Sequence, residues 1–155
     1  MKATVDLQRT AEPAWSQKVE RWYQLDETAY GFCEALHQWE YLKDLKKPDV
    51  ILLALEGASN LADVDFVQTG ASSPAKFVYT LPNICVSVIF QMLGTSGKVY
   101  CLNQGATTYK FAKTEAEYFA KSGKTVWFFS SSYKINGESR EFEFEAFDFY
   151  EAHPS

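Results

Sequence analysis

The chain has 155 residues, which predicts one domain that buries about two thirds of the surface its unfolded form exposes. Its net charge of -5, without a dense cluster of lysine and arginine, argues against nucleic acid as a partner. Three cysteines without paired spacing and only two histidines argue against a disulfide framework and a Cys/His zinc site. We therefore expect no metal and no cofactor.

No stretch of the sequence resembles a membrane span or a secretory signal. The longest uninterrupted apolar run is Val50 to Leu55, far shorter than the roughly 20 residues of a membrane-spanning helix. The N-terminal residues mix charges and contain no continuous apolar core. We expect a cytoplasmic protein with no membrane span.

The first third of the chain predicts an arm, a helix and a strand. Residues 1–20 lack a sustained hydrophobic period, which predicts an extended N-terminal arm. From Asp26, which can cap, apolar residues recur at helical spacing towards the lysines before Pro48, which predicts a helix of about five turns. The apolar run Val50 to Leu55 is typical of a strand covered on both faces.

The middle of the chain predicts two more helix and strand pairs. A loop over 57–74, rich in small residues, precedes a helix from Pro82 to the Gly94 stop. A strand over 99–102 follows. A helix over 107–121, ended by a glycine, then leads into a strand over 125–131.

The chain ends in a predicted β-hairpin. Asn136-Gly137 is typical of a two-residue turn, and Phe142, Phe144 and Ala146 alternate with glutamates. The alternation shifts phase at Ala146-Phe147, which predicts a bulge. The element order predicts an α/β fold with a mixed, mostly parallel sheet of about five strands and helices on its faces.

Three patches of sequence support a resemblance to a known family. They are Arg21-Trp22-Tyr23-Gln24-Leu25-Asp26 before the first helix, Ser73-Pro74 with Phe77 and Thr80-Leu81-Pro82-Asn83, and Gly97 before a strand and a helix. From about Arg21 to Lys134 the chain resembles the N-terminal half of a β-ketoacyl synthase. The resemblance implies a thiolase-like half domain over 21–152 behind the arm 1–20.

The resemblance places the nucleophilic cysteine of the family at Ala106. In the family this residue lies on a strand-to-helix turn, where backbone amides activate the thiol and stabilise the oxyanion. A methyl group cannot attack a thioester, so we interpret Ala106, Gly105 and Gln104 as a degenerate catalytic site. Chain-length-factor subunits carry glutamine in place of the cysteine, but Gln104 falls two positions early. The family histidines come from a C-terminal half without a counterpart here.

The helix over 107–121 departs from the family pattern because it carries several charges. They are Lys110, Lys113, Glu115, Glu117 and Lys121. In the full enzyme this helix lies between the two halves. Burying these charges unpaired would be very costly, so we expect this helix to have a solvated face. We interpret Cys101, inside the preceding strand, as a small buried side chain.

Three functions remain open from the sequence. The first is a catalytically inactive ketosynthase-like protein, a binding or scaffold partner in fatty-acid or polyketide assembly. It would form a homodimer or a heterodimer with a ketosynthase and could bind an acyl carrier protein, with contacts at Phe77, Thr80, Asn83 and Gln104. The second is an acyl-thioester enzyme without a covalent intermediate, such as a malonyl decarboxylase that uses backbone amides of the turn near Ala106. The third is an unrelated α/β binding module.

Overall fold

The computed structural model describes residues 2–5, 7, 11–55, 70, 82–103, 105–135 and 142–154. In chain order its helices and strands are β1 (Lys2–Val5), α1 (Glu27–Gln38), β2 (Val50–Leu55), α2 (Pro82–Leu93), β3 (Lys98–Leu102), α3 (Thr108–Lys121), β4 (Val126–Ile135) and β5 (Phe142–Ala152). Two 3₁₀ turns, Trp22–Gln24 and Glu40–Asp44, flank α1. The expected turn at Asn136-Gly137 lies outside the described residues.

The strands form one mixed sheet in the order β1-β5-β4-β2-β3. β2 pairs in parallel with β3 and β4, whereas β5 pairs antiparallel with β4 and with β1. α1 and α2 pack on one face of the sheet and α3 packs on the other. The α/β class and the mixed five-stranded sheet predicted from the sequence are confirmed, and β3 is the last strand on one side among the described strands.

β2 lies where the sequence predicts it and explains why its run is continuously apolar. Ile51 and Leu53 belong to the core cluster under α1 and α2, while Leu52 and Ala54 belong to the cluster under α3. Because side chains alternate across a strand and both faces are covered, every position must be apolar. All six residues of β2 are buried.

The helix that follows Asp26 is shorter than the sequence predicts. α1 ends at Gln38 and is followed by the 3₁₀ turn Glu40–Asp44, so the prediction of about five continuous turns was wrong. Tertiary contacts explain the early end of the helix. Trp39 leaves the helical path with ψ 40 and packs its ring against Phe129 and Phe149, while Leu42 is fully buried.

The predicted cap of α1 is confirmed and carries a stability prediction. Asp26 Oδ1 accepts a hydrogen bond of 2.7 Å from the Ala29 backbone N–H, and Asp26 is only 8% exposed. We expect Asp26→Ala to lower the free energy of unfolding by about 1 kcal/mol in urea denaturation, because a helix N–H loses its acceptor. Asp26→Asn keeps an acceptor and serves as the control. An equal loss in both variants would contradict the capping role.

Part of the N-terminal arm belongs to the sheet. β1 pairs with β5 through registers such as Ala3↔Phe147, and Ala3 and Val5 are buried. Further along the arm, Trp15 Nε1 donates a hydrogen bond of 2.8 Å to Glu34 of α1. A strand of four residues is too short to show a hydrophobic period, which is why the sequence indicates only an extended arm here.

The bulge predicted at Ala146-Phe147 was wrong. The pairs Ser132↔Ala146 and Ser131↔Phe147 follow each other without a break, and the register shift lies at Lys134/Ile135 instead. Tyr150, which pairs with Phe128 on the α3 side, is 47% exposed. An exposed tyrosine on this face shows that the apolar residues of β5 are not confined to a buried face, so their alternation does not predict where a bulge lies.

Candidate functional site

The turn between β3 and α3 is the candidate site, and its conformation is fixed by its own hydrogen bonds. Ala54 of β2 pairs with Leu102 of β3 in parallel, so the C-terminal ends of both strands lie at the same edge of the sheet. Gly105 then adopts a positive φ of 60°, a conformation that glycine reaches without a steric penalty. The Thr108 side chain is buried, and its Oγ1 and backbone N donate to Gly105 O at 2.7 and 3.0 Å. These bonds hold the chain as it enters α3.

Ala106 is exposed on this turn, two residues before α3 begins. Thr107 stands at the N-cap position, and its side chain forms no capping hydrogen bond. The positive end of the helix macrodipole therefore lies close to Ala106. The turn has the strand-to-helix geometry that would activate a thiol, but the side chain at this position is a methyl group.

The structure brings only some of the other predicted site residues to this edge. Asn83 is exposed in the first turn of α2. Because α2 crosses back over the sheet before β3 begins, its first turn reaches the same edge as Ala106, but on the opposite face. Phe77, Thr80 and Gln104 lie outside the described residues, so their proposed contacts stay predictions.

The structure does not activate the thiols of Cys33 and Cys101. Burial raises the pKa of the Cys33 thiol, and Cys85 is buried within α2. Cys101, interpreted from the sequence as buried, is exposed on β3, which pairs with β2 alone among the described strands. Even so, nearby protein atoms desolvate its thiolate and raise the pKa of the Cys101 thiol. The surroundings of Cys33 and Cys101 therefore disfavour their thiolate forms.

Aromatic residues of β3 and α3 form a surface that sequence analysis did not identify. Tyr100 of β3 is 45% exposed and stacks on Phe119 of α3, with ring centroids 5.6 Å apart. Tyr118 and Phe111 are exposed on the same helix. Their helical spacing of seven residues places them on one flank of α3, and this spacing is the signal that could have grouped them.

The described part of the chain contains no group of three histidine, cysteine or acidic residues that could hold a metal ion. Of its described helices, none combines the length and apolar character needed to cross a membrane.

Comparison with known proteins identifies the fold. No family model and no curated protein sequence matches the chain. A solved structure does match: a chain of the ketosynthase ApeO in complex with its chain length factor ApeC, from Xenorhabdus doucetiae, with a TM-score of 0.66 and 12% identity. The fold is ketosynthase-like. The match covers 94% of this chain and spans 63% of the chain it resembles.

The ketosynthase-like fold agrees with the resemblance inferred from the sequence, although residues 73–81 of the middle patch lie outside the described residues. The strand, turn and helix that follow Gly97 occur in the implied order, with β3, Gly105 and α3 in succession. At 12% identity the match concerns the fold. The assignment of the family nucleophile position to Ala106 stays a prediction from the sequence.

Proposed function

We propose that this chain is a ketosynthase-like protein without condensing activity that acts as a binding or scaffold partner in fatty-acid or polyketide assembly. One observation carries the proposal: Ala106, to which the sequence resemblance assigns the family nucleophile, lies exposed on the turn before α3, and its methyl group cannot attack a thioester. Purified protein incubated with an acyl primer and a malonyl-carrier should therefore yield no condensed product. Formation of such a product would refute the proposal.

The proposed partner is a second ketosynthase-like chain, either another copy or a complete ketosynthase. The structural neighbour is itself a complex of a ketosynthase with its chain length factor, which supports pairing between chains of this fold. Among the described strands β3 pairs with β2 alone, and we propose that the second chain adds along its other side. Tyr100 on this strand would be buried by the added chain.

Charge and strand length favour antiparallel pairing of β3 with β3 of a second copy. Parallel pairing would place Lys98 beside the same lysine of the partner, whereas antiparallel pairing centred on Tyr100 places Lys98 opposite Leu102 of the partner subunit. This arrangement pairs the full strand Lys98–Leu102. It also sets Tyr100 against Tyr100 of the partner subunit on the α3 side, where cross-strand aromatic pairs are favourable.

This register predicts which cysteines can form a disulfide between two copies. Val99 would lie opposite Cys101 of the partner subunit, with Cα atoms about 4.5 to 5.5 Å apart, within the range of a disulfide. We expect oxidised Val99→Cys to run as a covalent dimer on a non-reducing gel. In the wild type the two Cys101 residues would be diagonal neighbours, about 7 to 8 Å apart, and should remain unlinked.

The double variant Val99→Cys with Cys101→Ser is the matched control and should not form a disulfide dimer, because each cysteine then faces serine. Light scattering on reduced protein measures association independently of the disulfide. A strict monomer that also fails to bind a ketosynthase and an acyl carrier protein would count against the scaffold proposal.

The alternative of an acyl-thioester enzyme without a covalent intermediate has one supporting observation. The exposed turn leads into a helix N-terminus that Thr107 does not cap with its side chain, and such amides can polarise a thioester carbonyl. Incubation with malonyl-CoA separates the two functions. Acetyl-CoA production would favour the decarboxylase, provided that an Asn103 substitution on the same turn alters the rate.

A further inference from the structure

Helix α3 has two flanks, which its aromatic contacts distinguish. The stripe of the helix that faces the sheet consists of small buried residues: Thr108, Ala112, Ala116 and Ala120. On one side of this stripe Phe119 stacks on Tyr100 of β3, with ring centroids 5.6 Å apart. On the other side Tyr109 packs on Phe128 of β4 at 5.4 Å. One flank of α3 therefore faces β3 and the other faces β4.

The flank towards β3 is aromatic. Helical spacing places Phe111, Glu115 and Tyr118 on the side of α3 that faces β3. Phe111 is 39% exposed and Tyr118 is 65% exposed. We define the aromatic flank as these side chains together with the stacked pair: Tyr100, Phe111, Glu115, Tyr118 and Phe119. The exposed lysines of the helix lie outside it, at other rotational positions: Lys110, Lys113 and Lys121.

β3 alone is too short to hold two copies of the chain together. It has five residues, whereas a stable interface takes roughly 20 to 30 residues from each side. Pairing of β3 with a second β3 therefore requires further surface beside the strand. The aromatic flank adjoins β3 through the stacking of Tyr100 on Phe119, and aromatic residues are enriched in the cores of interfaces. It is the surface that continues the strand pairing on the α3 side.

The distance between the helices of two paired copies suits these large side chains. α3 lies over β2 and β4. When the two β3 strands pair, the axes of the two α3 helices are four strand spacings apart, or about 19 Å. Helices in direct contact lie about 8 to 10 Å apart, so about 10 Å remains between them. Phenylalanine and tyrosine side chains from both copies fill such a gap, whereas alanine would leave it open.

The same pairing sets opposite charges against each other. α3 connects β3 to β4, and both strands run parallel to β2, so α3 runs opposite to β3. Glu115, one turn before Phe119, therefore lies towards the C-terminal end of β3. The two-fold axis reverses this direction in the second copy, so Glu115 approaches Lys98 of the partner subunit at the N-terminal end of β3. Lys98 and Tyr100 are two residues apart and share the α3 face of the strand.

We propose that the aromatic flank is covered by the aromatic flank of a second copy of this chain, with Glu115 paired with Lys98 of the partner subunit. The proposal rests on the pairing of β3 in the proposed function. It deepens that function because it selects a second copy as the partner and names the charges that favour it. One carboxylate and one lysine on each chain are self-complementary, as a symmetric dimer requires.

Exchanging the two charges tests the proposal by sedimentation equilibrium. Lys98→Glu opposes carboxylates and Glu115→Lys opposes lysines, so either variant alone should dimerise about tenfold more weakly than the wild type. An equimolar mixture of the two variants restores both pairs of opposite charges. With an affinity tag on one variant, native mass spectrometry should show the heterodimer in about tenfold excess over either homodimer.

Matched controls separate this contact from general effects of charge and of ring loss. Lys113→Glu changes the charge as Lys98→Glu does, but outside the aromatic flank, and should dimerise as the wild type does. Tyr118→Ala should weaken dimerisation about tenfold. Tyr23, at 61% exposure, lies in the 3₁₀ turn before α1, so Tyr23→Ala should leave dimerisation unchanged. Unchanged unfolding of dilute, monomeric Tyr118→Ala shows that its weaker association is not a loss of fold.

Four results would overturn the proposal. They are dimerisation of both charge variants at wild-type strength, a mixture without excess heterodimer, equal weakening by the two tyrosine variants, and association with a complete ketosynthase but not with a second copy. If the Val99→Cys disulfide dimer forms while the charge reversals have no effect, β3 pairing stands and only this proposal fails. If neither association nor a disulfide dimer is detected, β3 pairing fails and this proposal fails with it.

Discussion

Replacing Phe129 with alanine should lower the free energy of unfolding by about 3 to 5 kcal/mol, because it removes the centre of the aromatic core. Phe129 is fully buried on β4, and its ring contacts four other aromatic rings. The ring centroids of Phe149, Trp127, Trp39 and Phe32 lie 5.1, 6.3, 6.4 and 6.5 Å away. These contacts join β4 to β5, to α1 and to the end of α1, so a cavity here would weaken all of them. Urea denaturation followed by tryptophan fluorescence measures the loss.

Tyr118→Ala is the matched control for the aromatic core. It also removes an aromatic ring, but Tyr118 is 65% exposed, and among the described aromatic rings it lies beside Phe119, with 6.1 Å between centroids. Its free energy of unfolding should change by no more than about 0.5 kcal/mol. Similar losses in both variants would show that Phe129 is not the centre of the core.

The sequence predicts those elements whose signals are local. Asp26 caps α1 because its carboxylate reaches the Ala29 N–H, and Pro82 begins α2 as expected of a proline in a first helical turn. β2 is correctly bounded because burial on both faces makes every residue apolar. In each case the determining residues are close together in the chain.

The errors arise where distant contacts decide the structure. Trp39 ends α1 early because it packs against Phe129 and Phe149, which lie far along the chain. β1 forms because β5 offers it a partner strand. Neither contact produces a hydrophobic period in the sequence near the residues it affects. The pattern of a short sequence segment therefore cannot predict it.

The candidate site also combines features that are encoded locally with features that depend on distant contacts. Counting from Gly97 places Ala106 on a turn, and the structure has a turn there, because Gly105 and the start of α3 are encoded locally. The exposure of Cys101 and Tyr100 depends instead on the place of β3 at the end of the described strand order. Strand order is set by crossovers between distant segments, which the sequence pattern of β3 does not record.

Introducing a thiol by Ala106→Cys should produce the most reactive cysteine of the chain. The position is exposed and adjoins the N-terminus of α3, whose macrodipole stabilises a thiolate and lowers the thiol pKa. Desolvation raises the pKa of Cys101. At pH 7 we expect iodoacetamide to modify the introduced thiol about tenfold faster than Cys101, with a pH midpoint below about 8.5. Mass spectrometry of peptides sampled over time measures both rates.

Ser122→Cys is the matched control, because Ser122 is exposed at the other end of the same helix. There the negative end of the macrodipole disfavours the thiolate, so the thiol introduced at Ser122 should react more slowly at pH 7 and titrate at higher pH than the one introduced at Ala106. The difference in rate should disappear at a pH above both midpoints, where both groups are thiolates. Equal midpoints would show that this turn does not activate a nucleophile, and the interpretation of Ala106 as a vacated catalytic position would then fail.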